Sequence, residues 1–165
     1  MKIGDINQLS AGQFIDKLGA IYEHSPWVAE RVEGRRPFVS RDELVRTMRA
    51  EVEGASEAER LALLRAHPDL GTKAKVSEAS ASEQAGAGLD RLTREEYRRL
   101  VTLNERYRQK FGFPFIYAVK GSGKSAILEA LATRLEHGGA PEFAEAIHQV
   151  HRIAEFRLRD LIKEL

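Results

Sequence analysis

Residues 118–125 read Ala-Val-Lys-Gly-Ser-Gly-Lys-Ser, AVKGSGKS, and the apolar run FIYAV leads into them. An apolar strand, a glycine turn and Gly-Lys-Ser opening a helix is the outline of a phosphate-binding loop, in which backbone N–H groups wrap phosphate oxygens. Such a loop needs a central parallel strand, so accepting it would make the fold α/β. The surroundings argue against it. Ala118 stands where the pattern calls for its first glycine, and only residues 113–119, FPFIYAV, read as extended. One such run cannot build a sheet, and no second apolar strand ends in an aspartate for magnesium. Gly121 is therefore expected to turn the chain, with Ser122 capping a helix that begins near Gly123 and carries Ile127, Leu128, Leu131 and Leu135.

Outward from this stretch the signals are helical. Ser10 can cap a helix with Phe14, Ile15, Leu18 and Ile21 on one face. Ser25-Pro26 reads as a cap followed by proline at the first helical position. Ser40–Glu43, Ser56–Glu59, Ser80–Glu83 and Thr93–Glu96 have the spacing of capping boxes. From about Pro141 to Leu165, apolar residues from Phe143 to Leu161 recur as one amphipathic stripe. The predicted fold is all-α: a single-domain compact bundle of about eight or nine helices over residues 1–165, with one extended segment near 113–119.

Bulk properties narrow the function. A chain of 165 residues is most simply one domain and can bury roughly 70% of its unfolded surface. A formal charge of +1 gives no bulk attraction to nucleic acid or to an acidic membrane. The absence of cysteine excludes disulfides, thiolate catalysis and cysteine metal sites. The N-terminus MKIGDINQLS has no signal-peptide core, no run is long and apolar enough to span a bilayer, and Lys163-Glu164-Leu165 is not a peroxisomal address. A cytoplasmic protein is expected.

Three stretches carry polar groups in unusual settings. In Arg65-Ala66-His67-Pro68-Asp69-Leu70-Gly71 a histidine stands at a helix end, on a corner stiffened by the proline after it. Imidazole titrates near neutrality and can donate or accept a proton, although a capping or buried structural histidine fits the same pattern. In SASEQAGAGLD, residues 80–90, Glu83 and Gln84 are adjacent and splay by about 100° on a helix, so one can face a pocket that the other borders. Glu83 also fits as the capping partner of Ser80. In Phe111-Gly112-Phe113-Pro114-Phe115-Ile116 a helix ends and an apolar non-helical segment follows. Its backbone could meet a planar polar heterocycle, or its aromatics could simply be core.

HPDLG, SxxEQAGAGLD, LNxxYxxKFGFPFIYAVKG, the terminal IAEFRL and the early EHSPWVAE with RPF together resemble 2-oxo-4-hydroxy-4-carboxy-5-ureidoimidazoline (OHCU) decarboxylase. The resemblance runs in order along essentially the whole chain. It implies an all-helical, cofactor-free enzyme, without metal, that converts OHCU to (S)-allantoin and CO2 late in urate degradation. By motif it implies His67, Glu83 and Arg157 as catalytic residues, and Pro68, Ser82, Gln84, Phe113, Pro114, Phe115 and Ile116 as substrate-binding residues. Two positions depart from the family pattern: the second glycine of the Gly-Ser-Gly-Lys turn, and Phe156 where a leucine is expected. The resemblance allows a homodimer, though no seam in the sequence marks one.

Two other classes remain open at this level: a non-catalytic helical binding module, and a nucleotide-binding protein using residues 118–125. His148 and His151 are spaced i, i+3, a separation that suits a metal, but a solvated or interface pair fits them better.

Overall fold

The computed structural model describes residues 1–71 and 77–164. Among these residues the chain forms nine α-helices and no strand. In order they are α1 (Ile3–Gln8), α2 (Ala11–Leu18), α3 (Trp27–Val32), α4 (Arg41–Glu53), α5 (Glu57–Arg65), α6 (Glu78–Gly86), α7 (Arg94–Phe111), α8 (Lys124–Arg134) and α9 (Gly139–Leu161), with a 3-10 turn at Glu33–Arg35. The all-α expectation holds, and the run from Pro114 to Val119, which the sequence reads as extended, is neither helix nor strand.

The phosphate-loop resemblance resolves accordingly. Gly121 turns the chain at φ +79°, and Ser122 N donates to Val119 O at 2.9 Å. Lys124 lies 2.8 Å from the Glu96 carboxylate and also donates to Arg91 O. That ammonium and the Thr93 cap hold the Glu96 carboxyl below its usual range. Ser122 is not the cap: Gly123 occupies the N-cap position without a side-chain bond. A Cβ on Gly121 would meet nothing within 4 Å, so only the left-handed backbone opposes a side chain there. Gly121→Ala should cost about 1 kcal/mol and lower Tm by roughly 2–4 °C in a thermal melt.

Reciprocal capping closes α2 (Ser10 with Gln13), α5 (Ser56 with Glu59) and α7 (Thr93 with Glu96). Three further starts differ from expectation. Ser40 Oγ accepts from Glu43 N, but the Glu43 carboxylate accepts from Val39 N instead of closing the box. Helix α3 begins after Pro26, and the Ser25 hydroxyl donates back to Glu23 O. Helix α6 is capped by Ser77, one turn before Ser80, so Glu83 is freed from the capping role.

The chain divides into two compact units: residues 1–66 with 151–164, and residues 67–150. In the first, α3 packs on α2 and α4, and Phe14, Leu18, Val28, Leu44, Met48 and Leu158 are buried. The basic turn 31–36 is a clasp there. Arg31 pairs with Glu59, Arg35 with Glu51 at 2.6 Å, and Arg36 reaches the carbonyls of Ile6 and Leu9. In the second, α7 packs on α8, and Leu100, Tyr107, Phe115, Ile127 and Leu131 are buried.

Candidate active site

Helix α5 ends at the C-cap Ala66, and His67 is the next residue, only 7% exposed. Pro68 cannot continue the helix and forces the preceding residue away from helical geometry. The corner that follows is bolted down residue by residue. Arg108 of α7 lies 2.9 Å from the Asp69 carboxylate. Asn104, also of α7, donates to Leu70 O at 3.1 Å. Gly71 N donates to the Gln84 side-chain oxygen of α6 at 2.9 Å. The sequence pointed to the corner but not to Asn104. Its signal was an amide on the buried face of an amphipathic helix, where a polar group needs a partner.

On α6, Gln84 is buried, Glu83 half-buried and Ser82 exposed. The splay expected of adjacent helical residues is therefore present, with Gln84 pointing furthest inward. Gln84 also borders an open groove lined by Gly71, Ala81, Leu89 and Tyr97; neither His67 nor Glu83 lines that groove.

Helix α7 ends at Gly112, whose φ of +79° needs no Cβ, and Gly112 N donates to Arg108 O. Phe113, Pro114, Phe115 and Ile116 are all buried. Phe113 and Phe115 stand edge-on to Tyr107, with ring centroids at 5.9 and 5.5 Å, and Phe143 packs edge-on to Phe113. Edge-to-face rings of this kind form a rigid core. What the segment has to offer a ligand is accordingly its backbone more than its rings. Ala118 N donates to Gln149 at 2.9 Å, which fixes the far end of the segment.

His67, Pro68, Ser82, Glu83, Gln84 and residues 113–116 thus belong to one unit, and Arg157 of α9 to the other. Arg157 is 7% exposed. One guanidinium nitrogen donates to Ala20 O and Ile21 O at 3.1 and 3.4 Å, and another lies 3.0 Å from the Glu23 carboxylate. The Glu23 contact was not foreseen. In the sequence Glu23 stands only as the first residue of EHSPWVAE, beside His24, which adopts φ +45°, a conformation uncommon for residues other than glycine.

A family model described as OHCU decarboxylase matches residues 7–159. The chain belongs to the OHCU decarboxylase family. The 2-oxo-4-hydroxy-4-carboxy-5-ureidoimidazoline decarboxylase of Haloferax volcanii is 48% identical over 160 residues, which cover 97% of this chain and 95% of the relative. A uric acid degradation bifunctional protein of Bacillus subtilis is 46% identical over 97% of this chain and 32% of its own length. The crystal structure of (S)-allantoin synthase matches with a TM-score of 0.81 at 34% identity, covering 98% of this chain. This chain spans 54% of that one, about half its length.

In this OHCU decarboxylase family member the two histidines of α9 have separate settings. His148 is exposed. His151 is not solvated: it is 4% exposed, with Nδ1 2.9 Å from the Tyr22 hydroxyl and Nε2 2.8 Å from the Glu53 carboxylate. One neutral tautomer satisfies both contacts, with Nε2–H donating to Glu53 and Nδ1 accepting from Tyr22. Burial pushes the Tyr22 hydroxyl well above its usual range, so it stays protonated to donate. Among the described residues no group of three or more His, Asp or Glu is placed to hold a metal, and no helix is long and apolar enough to cross a membrane.

Proposed function

We propose that this chain is a carboxy-lyase that converts OHCU to (S)-allantoin and CO2 without a cofactor, as one catalytic domain over residues 1–165. The observation that carries the reading is the family match over residues 7–159. The HPDLG corner supports it, since residues of α6 and α7 hold that corner rigid in the way a catalytic histidine requires.

Loss of CO2 leaves an electron pair on carbon. The C=N and C=O groups of the substrate ring can take up that pair, so the protein has to orient the scissile bond, stabilise developing charge and deliver a proton to one face. In this reading His67 lies by the hydroxyl and carboxylate as acid or base. Glu83 and Gln84 hold the ureido group. Because the Gln84 oxygen already accepts from Gly71 N, its N–H2 end is the part that meets a substrate carbonyl. Arg157 binds anionic or carbonyl oxygens with a fork oriented by Glu23. Pro68, Ser82 and the backbone of residues 113–116 line the bound ring.

The test is circular dichroism of urate consumed by urate oxidase and hydroxyisourate hydrolase, with and without the protein. Uncatalysed decarboxylation in water has no source of handedness and yields both enantiomers. The expected result is a rapid signal of one sign that depends on added protein. A folded protein that leaves the racemic time course unchanged would refute the reading.

A further inference from the structure

One buried cluster in the second unit has no part in the chemistry above. Arg134, at the end of α8, is 6% exposed, and Glu142, in the first turn of α9, is fully buried. Arg134 Nε lies 2.6 Å from Glu142 Oε1. The Tyr107 hydroxyl donates to the same oxygen at 2.5 Å, and His137 Nδ1 lies 2.9 Å from Oε2. Burial, then the neighbouring carboxylate, keeps Tyr107 protonated for this bond. Taking an arginine and a carboxylate out of water is costly, and apolar residues of similar volume often serve stability as well or better. Stability alone is therefore a weak reason for the pair.

The remaining donor supplies a stronger one. Arg134 Nη1 donates to the carbonyl of Ile116, and the guanidinium lies over the Phe115 ring at 4.5 Å from its centroid. Residues 114–119 are neither helix nor strand, so no ladder fixes the direction of their peptide planes. Arg134 takes the place of that ladder. Its planar fork is itself aimed by Glu142, and the carboxylate is aimed by Tyr107 and His137.

We infer that Arg134 is a positioning residue for the decarboxylation: it fixes the Ile116 peptide so that the backbone of residues 113–116 meets the substrate in one orientation. This deepens the proposed function and rests on the reading that the segment lines the site.

Two variants test it in the circular dichroism assay. R134K keeps a charge against Glu142 but replaces the fork with a single ammonium, so the Ile116 carbonyl loses its donor. R134M/E142L removes both ions together and leaves no buried carboxylate without its arginine. Both should fold, with KM raised about tenfold, the size of one lost charge-assisted hydrogen bond, and kcat changed by less than about threefold. A purely structural role gives the opposite split: a smaller folded fraction lowers apparent kcat at unchanged KM. Folded variants with the parent KM, or with a loss confined to kcat, overturn the inference. If the double variant does not fold, R134K decides alone. A parent chain without activity overturns the proposed function and this inference together, whereas an active parent with unchanged variant KM overturns the inference only.

Discussion

His67→Asn should leave a folded protein whose kcat/KM for OHCU is about 10²–10⁴-fold lower, the range by which a positioned acid or base accelerates a reaction. Asparagine keeps the polar character and approximate reach of the side chain but cannot titrate. The corner that carries residue 67 is held by Asp69, Leu70 and Gly71 through Arg108, Asn104 and Gln84, none of which involves the imidazole. Thermal stability should accordingly fall by only a few degrees while turnover collapses. Measuring both in one preparation separates the roles. Turnover within a few-fold of the parent would remove His67 from the chemistry, and a collapse of Tm would mark it as a structural histidine.

The second large effect is expected at Arg157. Arg157→Met leaves Glu23, 1% exposed, without its arginine, and withdraws the donor from Ala20 O and Ile21 O. Breaking a buried pair from one side typically costs about 3–5 kcal/mol. At this chain length that is a Tm loss of roughly 6–20 °C. Glu23→Leu with Arg157→Met removes the stranded carboxylate and should recover much of the loss, a coupling that a double-mutant cycle reads directly. Activity distinguishes the two uses of the arginine. If Arg157 also binds substrate oxygens, the stabilised double variant stays inactive. If activity returns with stability, the fork serves only to hold the loop at residues 20–23.

Much of this was legible in the sequence, for local reasons. Capping boxes at Ser56 and Thr93, the turn at Gly121 and the stop at Gly112 are decided by neighbouring residues, and they stand where the spacing put them. Where two local solutions compete, the pattern misleads. Ser77 and Ser80 are a turn apart and both precede apolar positions; the structure uses Ser77, and Glu83 fits the Ser80 box by spacing alone. Helix α1 was missed because six residues give too short a period, and its first turn is held by the Asp5 carboxylate accepting from Lys2 N. The partners of the site residues were largely invisible. Glu23 meets Arg157 across 134 positions, and Glu53 meets His151 across 98. Such contacts are set by how helices pack, which spacing along one helix does not encode.

Two buried arginine–carboxylate pairs among the described residues, Arg157 with Glu23 and Arg134 with Glu142, bear on how this protein responds to heat. Hydration of charged groups carries a strongly negative entropy, so the penalty for stripping their water shrinks as temperature rises, whereas the gain per unit of apolar burial levels off. Apolar replacements that match these pairs at room temperature should therefore fall behind on warming. A variant redesigned to be greasier in its interior would gain its advantage on the cool side of the stability curve and surrender it towards the melt.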